Sequence, residues 1–174
     1  GQEGGNSVAD VLSGKASPSG KLPMTFPVKL MDAASSANFP MDAKADTDVR
    51  NKEGQKSSVK NVDYTDYEED VFVGYRYFDS FDKQVSYPFG YGLSYTTFEY
   101  ANPSIKADNG VYTVSVDVKN TGKAAGKEVV QLYVSAPDNA GMNKPAKELK
   151  AFAKTRELNP GETATVTLKV NASD

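Results

Sequence analysis

The stretch that decides the fold is residues 111–122, which read VYTVSVDVKNTG. Apolar and polar residues alternate along it, which is the two-residue period of a half-buried β-strand. Its apolar positions are Tyr112, Val114, Val116 and Val118. Residues 120–122 then supply the Asn and Gly of a tight turn. The stretch therefore predicts one strand of an antiparallel sheet, with one face on a core.

The same alternation recurs along the rest of the C-terminal half. Residues 130–134, 149–153 and 164–170 place apolar side chains at every second position, and Asn159-Pro160-Gly161 forms a turn before the last of them. With the stretch near 98–105, the pattern predicts about five strands of a β-sandwich. A sandwich of seven strands needs roughly two more. We therefore expect the sandwich to be incomplete at its C-terminal end, with the apolar face of residues 164–170 covered by a strand from elsewhere.

The first 27 residues follow a different pattern, a short helix and then a strand. The helix is indicated by one apolar face, made of Val8, Val11 and Leu12. We expect Asn6 or Ser7 to cap its N-terminus and Gly14 to end it, with an extended piece at 21–26 after a turn. One helix and one strand bury no core alone, so they are expected to be the end of an α/β layer whose other elements lie upstream.

Composition excludes several classes of function. With 20 Lys and Arg against 23 Asp and Glu, the net charge of −3 argues against nucleic acid and anionic membranes as partners. The sequence has no Cys and no His, so thiolate nucleophiles, imidazole bases and Cys-type metal centres are absent from it. The apolar runs are far shorter than the roughly 20 residues that span a bilayer. We therefore expect no metal, no cofactor and no membrane insertion.

Residues 28–66 are rich in Ser, Ala, Asp, Lys and Asn and show no apolar period, which predicts a long polar excursion. The tract at 46–51 superficially suggests a calcium loop. However, Arg50 stands where an oxygen ligand is required and Asn51 where a glycine is required. A solvated loop is the better interpretation. Likewise, Gly4-Gly5 could bind an anion at a helix start, but without a phosphate-binding pattern close packing is favoured.

Three blocks of sequence together resemble the C-terminal part of family 3 glycoside hydrolases, of the β-glucosidase and β-xylosidase type. The first block is QEGGNSVADVLSGK at 2–15, followed by SPSGKLPMTFP at 17–27. The second is YEEDVFVGYRYFD at 67–79, followed by YPFGYGLSYTTF at 87–98. The third is AGKEVVQLYV at 125–134 with LNPGE at 158–162, and it is similar to a fibronectin type III-like domain.

The resemblance implies a fold class and a division of the chain. Residues 1–95 would be the end of an α/β sandwich domain, with the polar excursion at 28–66. Residues 96–174 would be a truncated fibronectin type III-like β-sandwich of the immunoglobulin class. The chain would thus be a fragment of a larger polypeptide. A periplasmic or secreted location is favoured, and a cytoplasmic one stays open.

The resemblance also implies a function for the parent protein. It would be a retaining, exo-acting β-glycosidase, above all a β-glucosidase, that hydrolyses terminal β-linked sugars from oligosaccharides or glycosides. Its two carboxyl groups would stand about 5 Å apart. The nucleophilic Asp of a barrel domain and the acid/base Glu of the α/β domain are both expected upstream of Gly1. We therefore expect no catalytic residue in this chain, which would serve as scaffold. Its partners would be the substrate, the remainder of the parent chain or a second copy.

Two features leave an alternative open. The acidic residues Asp66, Glu68, Glu69 and Asp70 could offer a carboxylate pair, but a charged strand entry in which Glu69 or Asp70 pairs with Arg76 or a lysine is favoured. The aromatic belt at 67–100 could stack on sugar rings, but a seam between domains is favoured, with residues 87–95 at the junction. The alternative function is a stand-alone carbohydrate-binding or structural module without catalysis.

Overall fold

The computed structural model describes residues 2–37, 68–137 and 143–173. The described residues up to 95, here the N-terminal part, hold two α-helices, two short strands and two 3₁₀ helices. In chain order these are α1 (Gly4–Leu12), β1 (Phe26–Pro27), the 3₁₀ helices Leu30–Asp32 and Ala34–Ala37, α2 (Tyr75–Ser80) and β2 (Val85–Tyr87). The described residues from 96 onward, here the sandwich, hold five strands: β3 (Phe98–Asp108), β4 (Val111–Asn120), β5 (Val129–Val134), β6 (Glu148–Lys154) and β7 (Thr163–Asn171).

Helix α1 ends as the sequence predicts but begins earlier. Gly14 adopts a positive φ of 76° and its N–H donates to the Val11 carbonyl, so the predicted stop is confirmed. The N-cap, however, is Glu3, and the expectation that Asn6 or Ser7 caps the helix is wrong. The Glu3 carbonyl already accepts the Ser7 N–H at 3.0 Å, which places Asn6 and Ser7 inside the first turn.

The start of α1 is also more open than the sequence suggests. No atom lies within 4 Å of a Cβ built on Gly4 or Gly5, apart from the helix itself and chain neighbours, so the expected close packing of these glycines is wrong for the described residues. The helix buries no residue. Val8 is 58% exposed and Leu12 is 78% exposed, whereas Val11 is half-buried, so most of the apolar face of α1 is exposed.

The extended piece after α1 pairs with the segment that precedes the sandwich. Phe26 in β1 pairs with Tyr87 in β2 in antiparallel register. Further along, the Leu22 N–H donates to the Tyr91 carbonyl and the Gly90 N–H donates to the Leu22 carbonyl, both at 2.8 Å. The predicted excursion is described only over 28–37, where the two 3₁₀ helices lie. The rest of it, with the tract at 46–51, falls outside the described residues.

The five predicted strands of the sandwich are confirmed. One sheet has the order β3-β4-β7 and the other pairs β5 with β6, all antiparallel. Asn109 and Gly110, with φ of 48° and 77°, join β3 to β4 by a two-residue turn that needs left-handed backbone. Asn159-Pro160-Gly161 turns as predicted, because the Glu162 N–H returns to the Asn159 carbonyl at 2.9 Å.

The core of the sandwich lies between its two sheets. Val118, Val166 and Leu168 of the larger sheet pack with Val130 of β5 and with Leu158. The apolar face of β7 is therefore covered within this chain, since Val166, Leu168 and Val170 are all at most 7% exposed. The expectation that this face waits for a strand from elsewhere is wrong. Two strands suffice to cover the larger sheet at this point.

Strand β3 forms one edge of the larger sheet and is irregular there. The register with β4 shifts between Ala101 and Ser104, and Asn102 takes a positive φ of 53°. Its side-chain amide donates to Asp117 at 3.0 Å on the neighbouring strand. The irregularity is thus a bulge held in place by a side-chain bond across the sheet.

Candidate functional site

The chemistry-bearing side chains of the described residues gather at the seam between the N-terminal part and the sandwich. The central contact is an ion pair, in which Lys21 Nζ lies 2.7 Å from Glu128 Oε1. Both side chains are largely buried, with 21% of Lys21 and 11% of Glu128 exposed. The Tyr100 hydroxyl donates to the same oxygen at 3.1 Å. Burial and the Glu128 carboxylate raise the pKa of Tyr100 well above its usual range, so Tyr100 remains a donor at every physiological pH.

Backbone hydrogen bonds fix both ends of this ion pair. Lys21 is adjacent to Leu22, which is bonded on both sides to the 90–91 segment. On the sandwich, the Glu128 N–H donates to the Thr155 hydroxyl and the Thr155 N–H donates to the Glu128 carbonyl, at 3.0 and 2.8 Å. The backbone on each side of the pair is therefore held in place independently of the ion pair itself.

A second set of contacts joins helix α2 to the start of strand β6. The Tyr75 hydroxyl accepts the Leu149 N–H at 2.8 Å, and the Ser80 hydroxyl accepts the Ala146 N–H at 2.9 Å. Two ion pairs flank these bonds: Arg76 Nη2 lies 3.0 Å from Glu148 Oε1, and Lys147 Nζ lies 3.2 Å from Asp79 Oδ2. The side chains of α2 thus satisfy backbone donors that an edge strand leaves open.

Aromatic rings continue this second contact into the seam. Tyr75 stacks on Phe89 with centroids 4.6 Å apart and meets Tyr133 of β5 edge-on at 6.0 Å. Lys147 Nζ lies 5.3 Å from the centre of the Tyr133 ring. Burial, with Tyr75 and Asp79 nearby, raises the pKa of Tyr133. The interpretation of the belt as a seam holds for Tyr75, whose ring meets Tyr133 of the sandwich. The Tyr95 hydroxyl instead donates to the Val11 carbonyl at 2.7 Å, within the N-terminal part.

Glycines allow the backbones to approach this closely. A Cβ on Gly90, which has a φ of 79°, would overlap the side chain of Gln131 in the middle of β5. A Cβ on Gly92 would overlap the Gly20 carbonyl oxygen. A side chain at either position would therefore force these segments apart, which is why glycine is needed at both.

The described residues of the acidic cluster, Glu68, Glu69 and Asp70, form no ion pair across the seam. Arg76 pairs with Glu148, so its predicted pairing with Glu69 or Asp70 is wrong. Glu69 opens a turn in which the Phe72 N–H donates to its carbonyl at 2.9 Å, and Asp70 has a positive φ of 50°. One carboxylate oxygen of Glu69 is buried and has no hydrogen-bond partner among the described residues. Asp66 lies outside the described residues.

Two cavities border the seam and share Lys21, Gly92 and Leu93. The larger, of about 530 Å³, is an apolar groove with Leu22, Phe26, Tyr87 and Tyr91 in its walls. The smaller, of about 260 Å³, has a mixed polar and apolar lining that includes Glu128, Tyr100 and Phe98. Over the described ranges, no group of three or more carboxylate, imidazole or thiol side chains is placed to hold a metal ion. In the same part of the chain, no helix is long and apolar enough to cross a membrane.

Sequence reasoning missed the Lys21–Glu128 pair. A signal exists, because Glu128 directly precedes the uncharged run 129–137 that contains β5. A charge at the start of a buried strand requires a partner. The identity of that partner depends on how two distant segments pack, which the local pattern does not contain.

Comparisons with known proteins agree over the whole length. The model of the glycosyl hydrolase family 3 C-terminal domain matches residues 1–95, and that of the fibronectin type III-like domain matches residues 128–174. Thermostable beta-glucosidase B of Acetivibrio thermocellus is 46% identical over 98% of this chain, which covers 20% of that protein. Beta-glucosidase of Kluyveromyces marxianus is 44% identical over 100% of this chain, which covers 18% of that protein.

Solved structures give the same result for the fold. Beta-glucosidase 3B of Thermotoga neapolitana, in complex with glucose, matches with a TM-score of 0.80 and 45% identity, covering 98% of this chain and 22% of that structure. A family 3 beta-glucosidase of Bifidobacterium adolescentis matches with a TM-score of 0.81 and 40% identity, covering 99% and 23%. The chain spans about a fifth of the length of these relatives. It belongs to glycosyl hydrolase family 3, and it carries the family's C-terminal domain sequence followed by a fibronectin type III-like sandwich.

Proposed function

We propose that this chain is the C-terminal scaffold of a retaining, exo-acting β-glucosidase, which releases terminal β-linked glucose from oligosaccharides or glycosides. The proposal is supported by relatives named beta-glucosidases that match nearly all of this chain. In such an enzyme one carboxylate attacks the sugar and a second carboxyl protonates the leaving oxygen, then activates water. Both carboxyls would lie outside residues 1–174, so no residue here would be catalytic. The α/β part would end near residue 95, and the sandwich would begin at 96.

The observation that carries the scaffold role is the bare apolar surface of the N-terminal part. Val8 and Leu12 of α1, Leu30, Val73 and Leu93 are all more than half exposed. The apolar groove of about 530 Å³ opens on the same part of the molecule. Soluble proteins rarely leave so much apolar surface in water. A covering body is therefore expected, and we propose that it is the remainder of the parent chain.

The alternative of a stand-alone binding module fits this surface less well. A binding module needs a stable core of its own, but no residue of α1 is fully buried against the part of the chain that the structure describes. The sandwich, by contrast, has a core. The N-terminal part thus gains its stability from something else, which a family 3 enzyme would provide.

The test is an activity comparison. The intact protein and the isolated 174-residue chain are incubated with an aryl β-glucoside, and the anomer first released is followed by proton NMR. We expect β-glucose from the intact protein and no turnover by the isolated chain. Turnover by the isolated chain that disappears with Glu69→Gln, but not with Glu68→Gln, would overturn the proposal.

A photo-crosslinking amino acid at Leu12 identifies the covering body. In the intact protein we expect crosslinks within one polypeptide, between residue 12 and a segment outside residues 1–174. Crosslinked dimers would instead show that a second copy covers the surface. Substitution at Lys169, an exposed position of β7, serves as the matched control and should yield few crosslinks.

A further inference from the structure

The N-terminal part contacts the β5–β6 sheet of the sandwich at both ends of that sheet. Glu128 directly precedes β5, whose first residue, Val129, pairs with Lys154. At the other end of the same pair, Val134 is opposite Glu148, which is bonded to Arg76 of α2. Five residue steps of about 3.4 Å separate these ends, which is roughly 17 Å. One contact alone would let the sandwich pivot, whereas two contacts this far apart oppose rotation about either.

We propose that these two contacts make the junction a rigid joint, in which Lys21 and Glu128 act as positioning residues, so that the N-terminal part and the sandwich move as one body. The rigidity of the joint is argued from its contacts alone. Its role, which is to hold the sandwich against the α/β domain, rests on the proposed function. The default for neighbouring domains is relative motion unless their interface is large and apolar. The joint is an exception because one of its two polar contacts is largely buried and the two lie far apart.

Lys21–Glu128 is the most buried ion pair among the described residues, and the Lys150–Glu148 pair, with side chains 23% and 28% exposed, comes next. In the Lys15–Asp10 pair the two side chains are 76% and 43% exposed, against 21% and 11% for Lys21 and Glu128. An exposed pair opens at little cost because water solvates both charges. A buried pair that opens leaves a charge without water or partner. The Lys21–Glu128 contact is therefore expected to stay closed.

The chain between the two parts is held as well. Ser94 Oγ lies 3.1 Å from Ser17 Oγ, which also accepts the Tyr95 N–H at 3.3 Å. The next residue, Thr96, is 7% exposed, and its hydroxyl donates to Asn120 of the sandwich. Residues 94–96 are thus bonded to both bodies and offer no free hinge.

Distances between two spin labels test the joint directly. The chain has no Cys, so Ala16→Cys and Lys169→Cys introduce unique sites within it, both exposed, one on each body. The labels are placed in the intact protein after removal of any cysteine outside residues 1–174, and double electron–electron resonance gives the distance distribution. We expect one narrow distribution. A broad or double distribution in the protein without further changes overturns the proposal.

The contacts are then removed one at a time and together. Glu128→Gln keeps the shape and removes the charge, and Tyr75→Phe removes the acceptor of the Leu149 N–H. We expect each alone to broaden the distribution slightly and the combination to broaden it at least twofold. The control is Glu162→Gln, which breaks the Arg156–Glu162 pair inside the sandwich and should leave the distance distribution unchanged.

A pair with exchanged charges, Lys21→Glu with Glu128→Lys, tests whether the ion pair positions the two parts or only stabilises the fold. We expect it to narrow the distribution again relative to Glu128→Lys alone. If the combined variant Glu128→Gln with Tyr75→Phe is folded, as verified by circular dichroism, and its distance distribution is no broader than that of the unchanged protein, the proposal is overturned. If that variant does not fold, Lys21→Met with Ser80→Ala takes its place under the same criterion. None of these distances depends on glucosidase activity, so an inactive parent would contradict the proposed function without affecting this test.

Discussion

The side-chain amide of Asn120 donates to the carbonyl oxygen of Leu158 at 2.7 Å, and both residues are fully buried in the sandwich. The same amide reaches the Ala124 carbonyl at 2.8 Å, while its oxygen accepts from Thr96 and from the Gly122 N–H. One polar side chain therefore joins the end of β4, the following turn, the approach to β7 and the seam. Buried polar groups that are fully satisfied in this way specify one packing.

Replacing Asn120 should be costly. Asn120→Ala removes the donor to the Ala124 carbonyl and one of the two donors to the Leu158 carbonyl, which keeps the Gly126 N–H. It also removes the acceptor of the buried Thr96 hydroxyl and of the Gly122 N–H. We expect the free energy of unfolding of the sandwich to fall by about 3 kcal/mol, the scale of buried polar groups left without partners. Urea unfolding followed by circular dichroism measures it. Thr167→Ala, at an exposed hydroxyl of β7, is the control and should cost less than about 0.5 kcal/mol.

Replacing Gly126 and Gly5 with alanine should change the stability of the protein in opposite directions. Gly126→Ala would bring its Cβ to 2.7 Å from Thr96 Cγ2 and 3.3 Å from Phe98. Overpacking of this kind should destabilise by about 1–3 kcal/mol. Gly5→Ala in α1 meets open space and should instead stabilise by up to about 1 kcal/mol, because alanine loses less backbone entropy. Thermal unfolding of the two variants checks the signs, and equal shifts would contradict the local packing.

Stability at acid pH depends in part on Glu162. The Asn159 N–H, at 2.8 Å, and then the Arg156 side chain hold the pKa of Glu162 below its usual range. Because the folded pKa is depressed, the stabilisation is present above the unfolded pKa of about 4.3 and is lost as pH falls through the folded value. We expect the melting temperature of Glu162→Gln to vary less between pH 5 and 3 than that of the unchanged protein. A parallel decline of the two would show that this carboxylate does not contribute.

The hydrogen bond between Tyr75 and β6 should affect hydrogen exchange at a single amide, that of Leu149. Tyr75→Phe removes the acceptor of the Leu149 N–H, which then becomes available to solvent. We expect hydrogen exchange at Leu149 to accelerate about tenfold, as for the loss of one hydrogen bond of roughly 1.4 kcal/mol. The amide of Val130, a core residue of β5, should keep its rate. An unchanged rate at Leu149 would mean that the edge is protected in another way.

Local pattern predicts most of the fold but little of the seam. The alternation at Val114, Val116 and Val118 identifies β4, and Gly14 and Gly161 mark turns, because these signals depend only on neighbouring residues. The start of α1 was misplaced because a backbone carbonyl at Glu3 outweighed the capping preference of Asn6. The covered face of β7 was missed because counting strands does not reveal which faces they shield.

Longer-range contacts explain the remaining differences. Arg76 pairs with Glu148 rather than with the nearby acidic residues, because α2 docks on the edge of β6. Glu128 finds Lys21, and Asn120 finds Leu158, across large separations in sequence. Such pairs follow from the packing of the two bodies. A single sequence shows that a buried charge or amide needs a partner, without naming it.

The bulge in β3 also bears on how the chain behaves before it is fully assembled. An edge strand with regular spacing presents a row of free donors and acceptors on which another chain can add a strand. Here the register slips between Ala101 and Ser104, Asn102 is turned by its left-handed backbone, and Pro103 has no N–H to offer. A newly made sandwich should therefore resist aggregation through this edge while the apolar surface of the N-terminal part is still being covered.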